Sequence, residues 1–332
     1  MDAVILVGGF GTRLRPLTLT RPKQMLPIVD RPMIEHVCAR LAGQGVTRAV
    51  LSLGYRPDVF ADTYPDGHCG GLELHYAVED EPLDTAGAIR FAAEHGGVSD
   101  TFVAVNGDVL TDVDLTKVLA LHRSAGAAGT LHLTPVEDPS RYGVVPIDAD
   151  QRVLEFVEKP PQGMAPSKWI NAGTYVLEPE VLDRIATGRK VSIEREVFPA
   201  LAAEGRLFAL EDDAYWIDTG TPVSYIQAQL DLVSGRRGGR WPAIADSASV
   251  HPHARLDEVV VMRRASVGAD AEVIRSVVCA GAIVHPGATV IDSVVGPNAT
   301  VCDRARVVGS VLGDGVEVAP GEFLEHQRRP EG

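Results

Sequence analysis

Hydrophobic residues follow two different patterns along the chain, and the change lies near residue 234. Before it, apolar runs alternate with amphipathic segments, which is typical of an α/β fold with a mostly parallel sheet covered by helices. The apolar runs predict strands over 3–7, 48–53, 72–78, 102–106, 129–134, 152–157, 169–177 and 206–211. The amphipathic segments predict helices near 32–44, 86–95, 114–124, 193–203 and 222–233.

Beyond residue 245, apolar residues recur in steps of six, six and five. Val250, Val267, Val284, Val301 and Val318 form one column with a period of 17, and two parallel columns lie beside it. A helix repeats about every 3.6 residues and a strand about every two, so neither explains this period. Three short sides per turn, each with one apolar residue inward, do explain it. The pattern predicts a small β-solenoid whose coils bury their apolar faces by stacking, and whose end coils pack on another domain or subunit.

A stretch rich in glycine and arginine separates the two patterns. Residues 234–243 read S-G-R-R-G-G-R-W-P-A, which is typical of a linker. We predict a first domain over 1–233, a linker over 234–244, the solenoid over 245–326 and a tail over 327–332. A chain of 332 residues exceeds one ordinary core, which also favours two domains.

Composition and charge narrow the class of protein. With 45% hydrophobic and 23% charged residues, no signal peptide and no apolar span of about 18 residues, we expect a soluble globular protein. The four cysteines show no metal-type spacing, which favours structural roles in a reducing, cytoplasmic setting. A formal net charge of −14 argues against nucleic acid or an anionic membrane as partner, because binding either needs clustered cations.

The most informative local pattern follows the first predicted strand. Gly8, Gly9 and Gly11 lack side chains, so main-chain N–H groups can close around an anion there. Arg13 and Lys23 add positive charge to the same segment. In an acidic protein, such a local concentration of cations predicts a phosphate site.

Spacing excludes two familiar phosphate loops. A dinucleotide fingerprint that starts at Gly9 needs a third glycine where this chain has Leu14, and Pro16 would disrupt the helix that should open there. A Walker A loop needs Gly-Lys-Ser/Thr, which the sequence lacks. Arg15 and Arg21 add to the positive charge of the segment, although Arg15, beside a proline, has bracing of the loop as an alternative role.

Two polar residues follow later strands. Asp108 lies beyond an apolar strand, at the sheet edge where α/β folds bind ligands, and its carboxylate is either a Mg²⁺ ligand or part of a turn. Lys159 leaves a strand just before two prolines, which fix the main chain and expose the side chain. A solvated pair with Glu158 is the alternative for this lysine.

An ordered series of motifs resembles the signatures of the sugar-1-phosphate nucleotidyltransferases, also called nucleotide-sugar pyrophosphorylases. The series starts with G-G-F-G-T-R-L-R-P-L-T and P-K in the glycine-rich segment. It continues with E-x-E-P-L-x-T-A-G at 79–87, N-G-D at 106–108, Y-G-V at 142–144, F-V-E-K-P at 156–160, N-A-G at 171–173, S-I-E-R-E-V-F-P at 192–199 and W-I-D-T-G-T-P at 216–222. One such motif is weak evidence, whereas the whole series in order is strong.

The resemblance implies a Rossmann-like nucleotidyltransferase domain, and the solenoid resembles the left-handed β-helix of hexapeptide-repeat proteins. The implied reaction joins a nucleoside triphosphate to a sugar 1-phosphate and releases pyrophosphate. The attacking phosphate is already ionised at neutral pH, because its second pKa is about 6, so no general base is required. Catalysis then depends on alignment and charge neutralisation, for which Mg²⁺ is the natural cofactor.

The resemblance also implies roles for individual residues. The catalytic residues are Arg13, Lys23 and Lys159. The nucleotide-binding residues are Leu6, Gly8, Gly9, Gly11, Thr12, Arg13, Lys23, Glu81, Thr85, Gly87 and Asp108. The sugar-phosphate-binding residues are Gly143, Glu158, Lys159, Asn171 and Gly173. The metal ligands are Asp108 and Asp218, although Asp218 also lies where it could cap a helix.

The sequence motifs point to more than one choice of nucleotide base and sugar. The motifs at 79–87, 156–160 and 192–199 most resemble mannose-1-phosphate guanylyltransferases, and Glu81 could accept hydrogen bonds from guanine. Two departures are present: Asp84 replaces the usual glycine, and Gln24 stands where a proline is common. The sequence K-Q-x-L-P-I is similar to glucose-1-phosphate thymidylyltransferases, so a thymidylyltransferase, or an enzyme for an unusual sugar or cyclitol phosphate, is the alternative.

Two other classes of protein are alternatives to this family. Hexapeptide-repeat acyltransferases use a histidine base, for which His251, His253 and His285 are candidates, but the unbroken repeat leaves no inserted loop for an acyl-CoA pocket. A catalytically silent homologue with a regulatory role should have lost charged site residues, and all of them are present. We therefore expect small-molecule substrates and a homo-oligomer assembled through the β-helix.

Overall fold

The computed structural model describes residues 1–239 and 241–331. Arg240 of the predicted linker and Gly332 of the predicted tail lie outside the described residues. The chain packs as two compact units: residues 1–9 with 34–216, and residues 10–33 with 217–332. The boundaries predicted at 233, 244 and 326 remain predictions.

Helices and strands alternate over the first 233 residues. The α-helices are Met33–Ala42, Pro57–Thr63, Asp84–His95, Leu115–Ala125, Phe198–Ala203 and Pro222–Val233, with 3-10 turns at Thr12–Leu14, Lys23–Met25, Pro139–Arg141 and Pro179–Arg184 and a π-helical turn at Ile193–Val197. The strands are Asp2–Leu6, Pro27–Ile28, Arg31–Pro32, Arg48–Leu53, His68–Cys69, Leu72–Val78, Phe102–Asn106, Val109–Thr111, Gly129–Pro135, Gly143–Val144, Val157–Glu158, Trp169–Leu177, Leu207–Glu211 and Trp216–Asp218. None of the described helices has the length and apolar character that crossing a bilayer requires.

A mixed sheet forms the centre of the first unit. Asp2–Leu6 lies between Arg48–Leu53 and Phe102–Asn106 and is parallel to both, and Leu72–Val78 extends the parallel part. Trp169–Leu177 then joins antiparallel to Phe102–Asn106. The inner strands Asp2–Leu6 and Phe102–Asn106 are mostly buried and apolar, whereas Leu72–Val78, nearer the sheet edge, alternates apolar residues with Glu73 and His75. The strand order confirms the α/β fold with a mostly parallel sheet.

Two predicted elements differ from the structure. Over 152–157, only isolated bridges form at Arg152 and Val153, and the strand proper is Val157–Glu158. The carboxylate of Asp148 accepts the N–H of Arg152 at 2.9 Å. This N–H group is therefore bonded to a side chain and does not pair with a neighbouring strand. The helix predicted over 193–203 starts as a wide π-helical turn before Pro199, which lacks the N–H that a regular helix would use.

The C-terminal part is a parallel β-helix. Its strands are Ser249–Val250, Arg255–Val261, Ser266–Val267, Glu272–Val278, Ile283–Val284, Thr289–Ile291, Val294–Val295, Thr300–Val301, Arg306–Val308, Val311–Leu312, Glu317–Val318, Phe323–Glu325 and Arg328–Arg329. Every pairing is parallel and joins residues 17 apart, for example Val267 with Val284, which confirms the predicted period. The inward valines and alanines form its core.

Each coil turns at three corners, and from Glu258 onwards each corner carries one residue with positive φ. These residues recur with the same period of 17. The columns are Glu258, Arg275, Asp292, Gly309 and His326; Arg264, Gly281, Asn298 and Gly315; and Asp270, Gly287, Arg304 and Gly321. The sharp corners explain why the sides are only two to three residues long in most coils.

A ladder of buried serines adds polar order inside the β-helix. Ser276, Ser293 and Ser310 are spaced by 17 residues and fully buried. The Ser293 hydroxyl donates to the Ile291 carbonyl at 2.6 Å and accepts the N–H of Ser310 at 3.0 Å, and the same pattern repeats one coil earlier and later. Each hydroxyl thus satisfies backbone groups at a bend between two strands.

Candidate active site

The first glycines of the phosphate loop follow directly from the central strand. The Val7 N–H donates to the Ser52 carbonyl at 3.0 Å, and the chain then leaves the sheet at Gly8 and Gly9. Leu6 pairs in register with Asn106, so the residues that follow both strands emerge at the same carboxyl edge. This edge is where the α/β pattern predicted a ligand.

Asp108 lies two residues beyond that pairing. The Gly107 N–H donates to the Leu6 carbonyl at 2.9 Å, which holds the N-G-D turn against the end of the central strand. Asp108 itself is half-buried. The first unit therefore brings Gly8, Gly9 and Asp108 to one edge, as the sequence predicted.

A buried carboxylate beside Gly8 was missed by the sequence analysis. Glu79 is only 8% exposed, and its Oε1 lies 3.7 Å from the position of a Cβ on Gly8. Its two oxygens accept the Ser52 hydroxyl at 2.7 Å and the Leu83 N–H at 2.9 Å. The sequence did contain an indication of this role, because Glu79 is the first residue of the motif at 79–87. Glu79 ties the start of this motif to the phosphate loop.

The predicted base-binding residues differ in their surroundings. Glu81 is exposed and lines a cavity of about 420 Å³ together with Gly87. The Gly87 N–H donates to the Val191 carbonyl at 3.2 Å, so this main-chain donor is used within the protein. The Thr85 hydroxyl donates to Glu194 at 2.6 Å and accepts the Ile193 N–H at 2.9 Å, which ties both motifs together.

Asp84, which replaces the usual glycine, has φ of 60°. A left-handed conformation explains why glycine is common there, and aspartate is one of the residues that tolerates it. Its Oδ1 accepts the Thr85 N–H at 2.8 Å. The departure from the family pattern therefore leaves the turn intact.

The second part of the phosphate segment folds into two short turns. Gly11 has φ of 62°, and a Cβ there would lie 2.9 Å from the Thr18 methyl group, so the position needs glycine. The Thr18 hydroxyl donates to the Gly11 carbonyl at 2.9 Å. Thr12 then opens a 3-10 turn, and Lys23, only 8% exposed, packs its Cβ against Gly11.

Arg13 and Asp218 lie together in the second unit. The Arg13 Nη2 is 3.8 Å from the Asp218 Oδ2, and the arginine side chain is 64% exposed. The Asp218 Oδ1 accepts the Gly220 N–H at 2.8 Å. A Cβ on Gly220 would lie 2.5 Å from the Arg13 Nη2 and 2.8 Å from the Asp218 Oδ1, so a larger residue there would make the ends of these two side chains shift.

Helix capping does not explain Asp218. Thr221 is the N-cap of the helix Pro222–Val233, and its hydroxyl accepts the Ser224 N–H at 3.2 Å. The Thr221 N–H in turn donates to the Ser224 hydroxyl at 3.1 Å, which completes a capping box. Asp218 stands outside this box, next to a cation.

The predicted sugar-phosphate residues gather on three neighbouring strands of the first unit. Gly143 pairs with Glu158, and Val144 pairs with Ile170 on the strand that carries Asn171. The Asn171 Oδ1 accepts the Gly173 N–H at 3.0 Å. Asn171 also donates to the Tyr175 hydroxyl at 2.9 Å, and burial raises the pKa of this tyrosine well above its usual range.

Lys159 and Glu158 form an ion pair, which is the arrangement given from sequence as the alternative for this lysine. The Lys159 Nζ lies 2.7 Å from the Glu158 Oε1, and the lysine side chain is 59% exposed. Lys159 has φ of 51° directly before Pro160, a conformation that is sparsely populated for this residue type. Strain of this kind is often concentrated at functional sites.

Two aromatic residues frame the N-A-G motif and were not assigned to the site from sequence. The Trp216 indole N–H donates to the Ala172 carbonyl at 2.9 Å. Tyr142 packs edge-on against Trp216, with ring centroids 5.7 Å apart, and its carbonyl accepts the Lys159 N–H at 3.0 Å. The pair thereby connects the strands that carry Lys159 and Asn171.

Comparison with known proteins decides the family. A family model described as nucleotidyl transferase matches residues 2–235, and one described as GMPPB C-terminal domain matches residues 242–328. The chain belongs to the nucleotidyl transferase family. This nucleotidyl transferase is 43% identical over 289 residues to the mannose-1-phosphate guanylyltransferase of Mycobacterium tuberculosis, an alignment that covers 84% of this chain and 79% of the relative.

Solved structures agree with this family membership. HddC from Yersinia pseudotuberculosis, in a crystal structure complexed with GMP-PN, is 33% identical with a TM-score of 0.59 over 69% of this chain and 97% of HddC. A putative glucose-1-phosphate thymidylyltransferase from Bacillus anthracis is 25% identical with a TM-score of 0.64 over 73% of this chain and 97% of that protein. The resemblance inferred from the motifs is confirmed, as is the nucleotidyltransferase activity class.

Proposed function

We propose that this enzyme transfers the guanylyl group of GTP to mannose 1-phosphate and forms GDP-mannose and pyrophosphate. The observation that carries the proposal is the 43% identity to a mannose-1-phosphate guanylyltransferase across 84% of the chain. The geometry supports it, because a glycine loop and a carboxylate lie at one sheet edge and lysine, glutamate and asparagine line neighbouring strands.

The chemistry requires no general base. An oxygen of the mannose 1-phosphate bonds to the α-phosphorus of GTP, and the bond from that phosphorus to the β-phosphate oxygen breaks. Pyrophosphate leaves with the electron pair. The nucleophile is already ionised, since a phosphate monoester has a second pKa of about 6. The protein therefore has to align two polyanions and offset their charge.

The nucleotide is bound mainly by main-chain donors and two cations in this proposal. Gly8, Gly9, Gly11 and Thr12 surround the phosphates, and Leu6 lies beside the nucleoside. Arg13 and Lys23 hold the triphosphate and stabilise the departing pyrophosphate. Glu81 accepts the guanine N–H groups, and Thr85 and Gly87 hold the first turn of the helix Asp84–His95 that follows it.

The sugar phosphate is bound by the strands around Asn171. Lys159 contacts the phosphate, and Glu158 accepts sugar hydroxyls. Gly143 and Gly173 leave room for the ring, and Asn171 is oriented by its hydrogen bonds to the Gly173 N–H and the Tyr175 hydroxyl. The ion pair between Lys159 and Glu158 keeps both side chains ready before substrate arrives.

Mg²⁺ is the proposed cofactor, with Asp108 and Asp218 as its protein ligands. Carboxylate oxygens are the hard donors that Mg²⁺ prefers. Among residues 1–239 and 241–331, no group of three or more His, Cys, Asp or Glu residues is placed to hold a metal by itself. Phosphate oxygens and water would complete the set, as is usual for Mg²⁺. When bound, the ion neutralises charge on the triphosphate and pyrophosphate.

Two further properties belong to the proposal. All four cysteines, each within the described part of the chain, are free thiols, which fits a reducing cytoplasmic setting. We also propose a homo-oligomer assembled through the β-helix, because among the described residues the outer edge of the first-coil strand Arg255–Val261 pairs with other backbone only at its Val261 end, through Ala243 and Ala245. Light scattering after gel filtration should give a mass at a multiple of 35.4 kDa, and a monomer would contradict the assembly.

The function is tested by a matrix of GTP, ATP, UTP, CTP and dTTP against several sugar 1-phosphates, with Mg²⁺ and detection of pyrophosphate. We expect the highest kcat/KM for GTP with mannose 1-phosphate. Turnover of dTTP with glucose 1-phosphate alone would replace the guanylyl assignment by the thymidylyl one. Turnover in no combination would favour a catalytically silent protein.

A further inference from the structure

One corner of the β-helix contacts the segment that carries Arg13 and Lys23. Asp314 lies at this corner, and its Oδ2 accepts the Arg21 Nη2 at 2.6 Å and the Thr20 hydroxyl at 3.0 Å. All these residues belong to the second compact unit. One carboxylate oxygen thus ties down two consecutive residues just before Lys23.

The same column of corners makes two further contacts with the segment. Gly313 approaches Pro16 closely, since a Cβ on this glycine would lie 3.1 Å from the proline Cβ. Three coils earlier in the same column, the N–H of Arg263 donates to both carboxylate oxygens of Asp30, at 2.9 and 3.1 Å. Neighbouring strands lie about 4.8 Å apart, so three coils separate these contacts by roughly 14 Å.

The contacts alternate along the sequence with the proposed triphosphate ligands. Arg13 comes before Pro16, and Lys23 comes directly after the Thr20 and Arg21 contacts. The helix Pro222–Val233 holds the later part of the segment, where the Tyr225 hydroxyl donates to the Pro27 carbonyl and the Gln229 side chain accepts the Val29 N–H. Between Arg13 and Lys23 the segment folds in short turns, such as the Leu17 N–H to Leu14 carbonyl bond at 3.0 Å. A regular, stacked β-helix is stiffer than such turns, because every coil is bonded to its neighbours.

We propose that Asp314 is a positioning residue for nucleotidyl transfer: it fixes the segment from Arg13 to Lys23 on the β-helix so that both cations meet the triphosphate. This inference rests on the proposed function. The pairing with Asp314 assigns Arg21 to the scaffold, whereas the sequence counted it among the phosphate-binding cations. Positioning matters for rate, since a displacement of about 1 Å can cost on the order of a hundredfold.

The test uses the full-length protein with Asp314→Asn, which removes the charge and keeps the size. We expect kcat/KM for GTP to fall at least tenfold, chiefly through a higher KM for GTP, with a smaller change in KM for mannose 1-phosphate. Asp314→Glu should recover part of the loss. Hydrogen exchange should rise selectively in the peptide over 10–26.

Asp292→Asn is the matched control. Asp292 accepts the Arg275 Nε at 2.8 Å on the same β-helix, but this ion pair does not involve the segment over 10–33. We expect its kcat/KM and its exchange over 10–26 to match those of the wild type. The melting temperature of each variant shows whether a loss of activity comes from general destabilisation or from displacement of the segment that carries Arg13 and Lys23.

The outcomes are distinct. Asp314→Asn within twofold of wild type, or an equal loss in Asp292→Asn, would overturn the inference. If the wild type prefers another nucleotide and sugar phosphate, the guanylyl assignment fails, and the same variants compared with that pair decide the role of Asp314. A wild type that turns over no pair refutes both proposals.

Discussion

At the scale of single residues, the site depends on close main-chain packing that places a few charged side chains. Gly220 shows this best, because a Cβ there would lie within 2.8 Å of the side-chain ends of Arg13 and Asp218 and would make them shift. Glu79 shows the same principle for a carboxylate, since it uses both oxygens to hold the loop at Leu83 and the strand at Ser52. In the proposed function, the charged groups that face substrate are positioned before it binds.

Replacing Arg13 tests the proposed stabilisation of pyrophosphate. Arg13→Met should lower kcat by about 10²–10³, or about 2.7–4 kcal/mol, which is typical for loss of one preorganised donor. The side chain is 64% exposed, so stability should hardly change. Steady-state kinetics and a melting curve check this. Arg255→Met is the control, because Arg255 is 71% exposed and pairs with Glu272 on the β-helix; a similar loss there would contradict the role of Arg13.

Glu81 tests recognition of the base. Glu81→Gln should reduce kcat/KM for GTP far more than for ATP, because a carboxylate accepts the guanine N–H groups and such a contact is worth about 1–3 kcal/mol. Asp80→Asn, at a neighbouring exposed carboxylate of the same cavity, should leave the ratio unchanged. Equal losses with GTP and ATP in the Glu81 variant would remove Glu81 from this role.

A buried histidine makes stability depend on pH. His132 is fully buried, neither ring nitrogen has a hydrogen-bond partner among the described residues, and burial lowers its pKa from 6.5 to about 4. The unfolded chain therefore binds a proton that the native protein does not, so stability should fall as the pH drops from 6.5 towards 4. The loss should approach about 3 kcal/mol.

Denaturant unfolding at several pH values checks this prediction. His132→Leu should show a weaker fall in the free energy of unfolding over this interval than the wild type. His68→Asn, at an exposed histidine, should follow the wild-type curve. Parallel curves for the wild type and the His132 variant would contradict the assignment.

At the scale of elements, local pattern was a good guide where a strand or helix is long and buried. The predicted strands over 48–53, 72–78 and 169–177 match Arg48–Leu53, Leu72–Val78 and Trp169–Leu177. The strand over 152–157 failed because Asp148 captures main-chain donors, a local competition that hydrophobic periodicity does not register. The helix Pro57–Thr63 was missed because its seven residues bury little besides Phe60.

The candidate site, like the fold, was predictable from local sequence only in part. Its motifs identified the residues on the loops, because glycines and carboxylates that directly follow a buried strand form a distinctive local pattern. The roles of Glu79 and Asp314 could not be inferred, since each depends on contacts with residues distant in sequence. The corner geometry of the β-helix was likewise hidden, because Glu258, Arg275 and Arg304 have no preference for positive φ.

The serine ladder gives a prediction for the β-helix. Ser293→Ala should destabilise the protein by about 1–3 kcal/mol, because the buried N–H of Ser310 would lose its acceptor. Thermal or denaturant unfolding measures the change. Ser249→Ala, at an exposed serine of the first coil, should be nearly neutral. A neutral Ser293 variant would show that the ladder contributes no stability.

At the scale of the whole molecule, a strongly acidic chain concentrates cations in the segment over 10–33, which the proposed function assigns to the triphosphate. Residues 10–33 pack with the β-helix in one compact unit, although they lie more than 200 positions away in sequence. Under the proposal for Asp314, the β-helix contributes to nucleotidyl transfer because it holds the segment that carries Arg13 and Lys23.

The most direct measurement follows isotopic phosphorus from GTP labelled at the α-phosphate, with mannose 1-phosphate and Mg²⁺. Attack on the α-phosphorus predicts that the label enters the nucleotide sugar in step with pyrophosphate release, and that GTP labelled at the β- or γ-phosphate yields labelled pyrophosphate. An α-label that stays in GDP or GMP, or γ-label found on the sugar phosphate, would contradict nucleotidyl transfer by this protein.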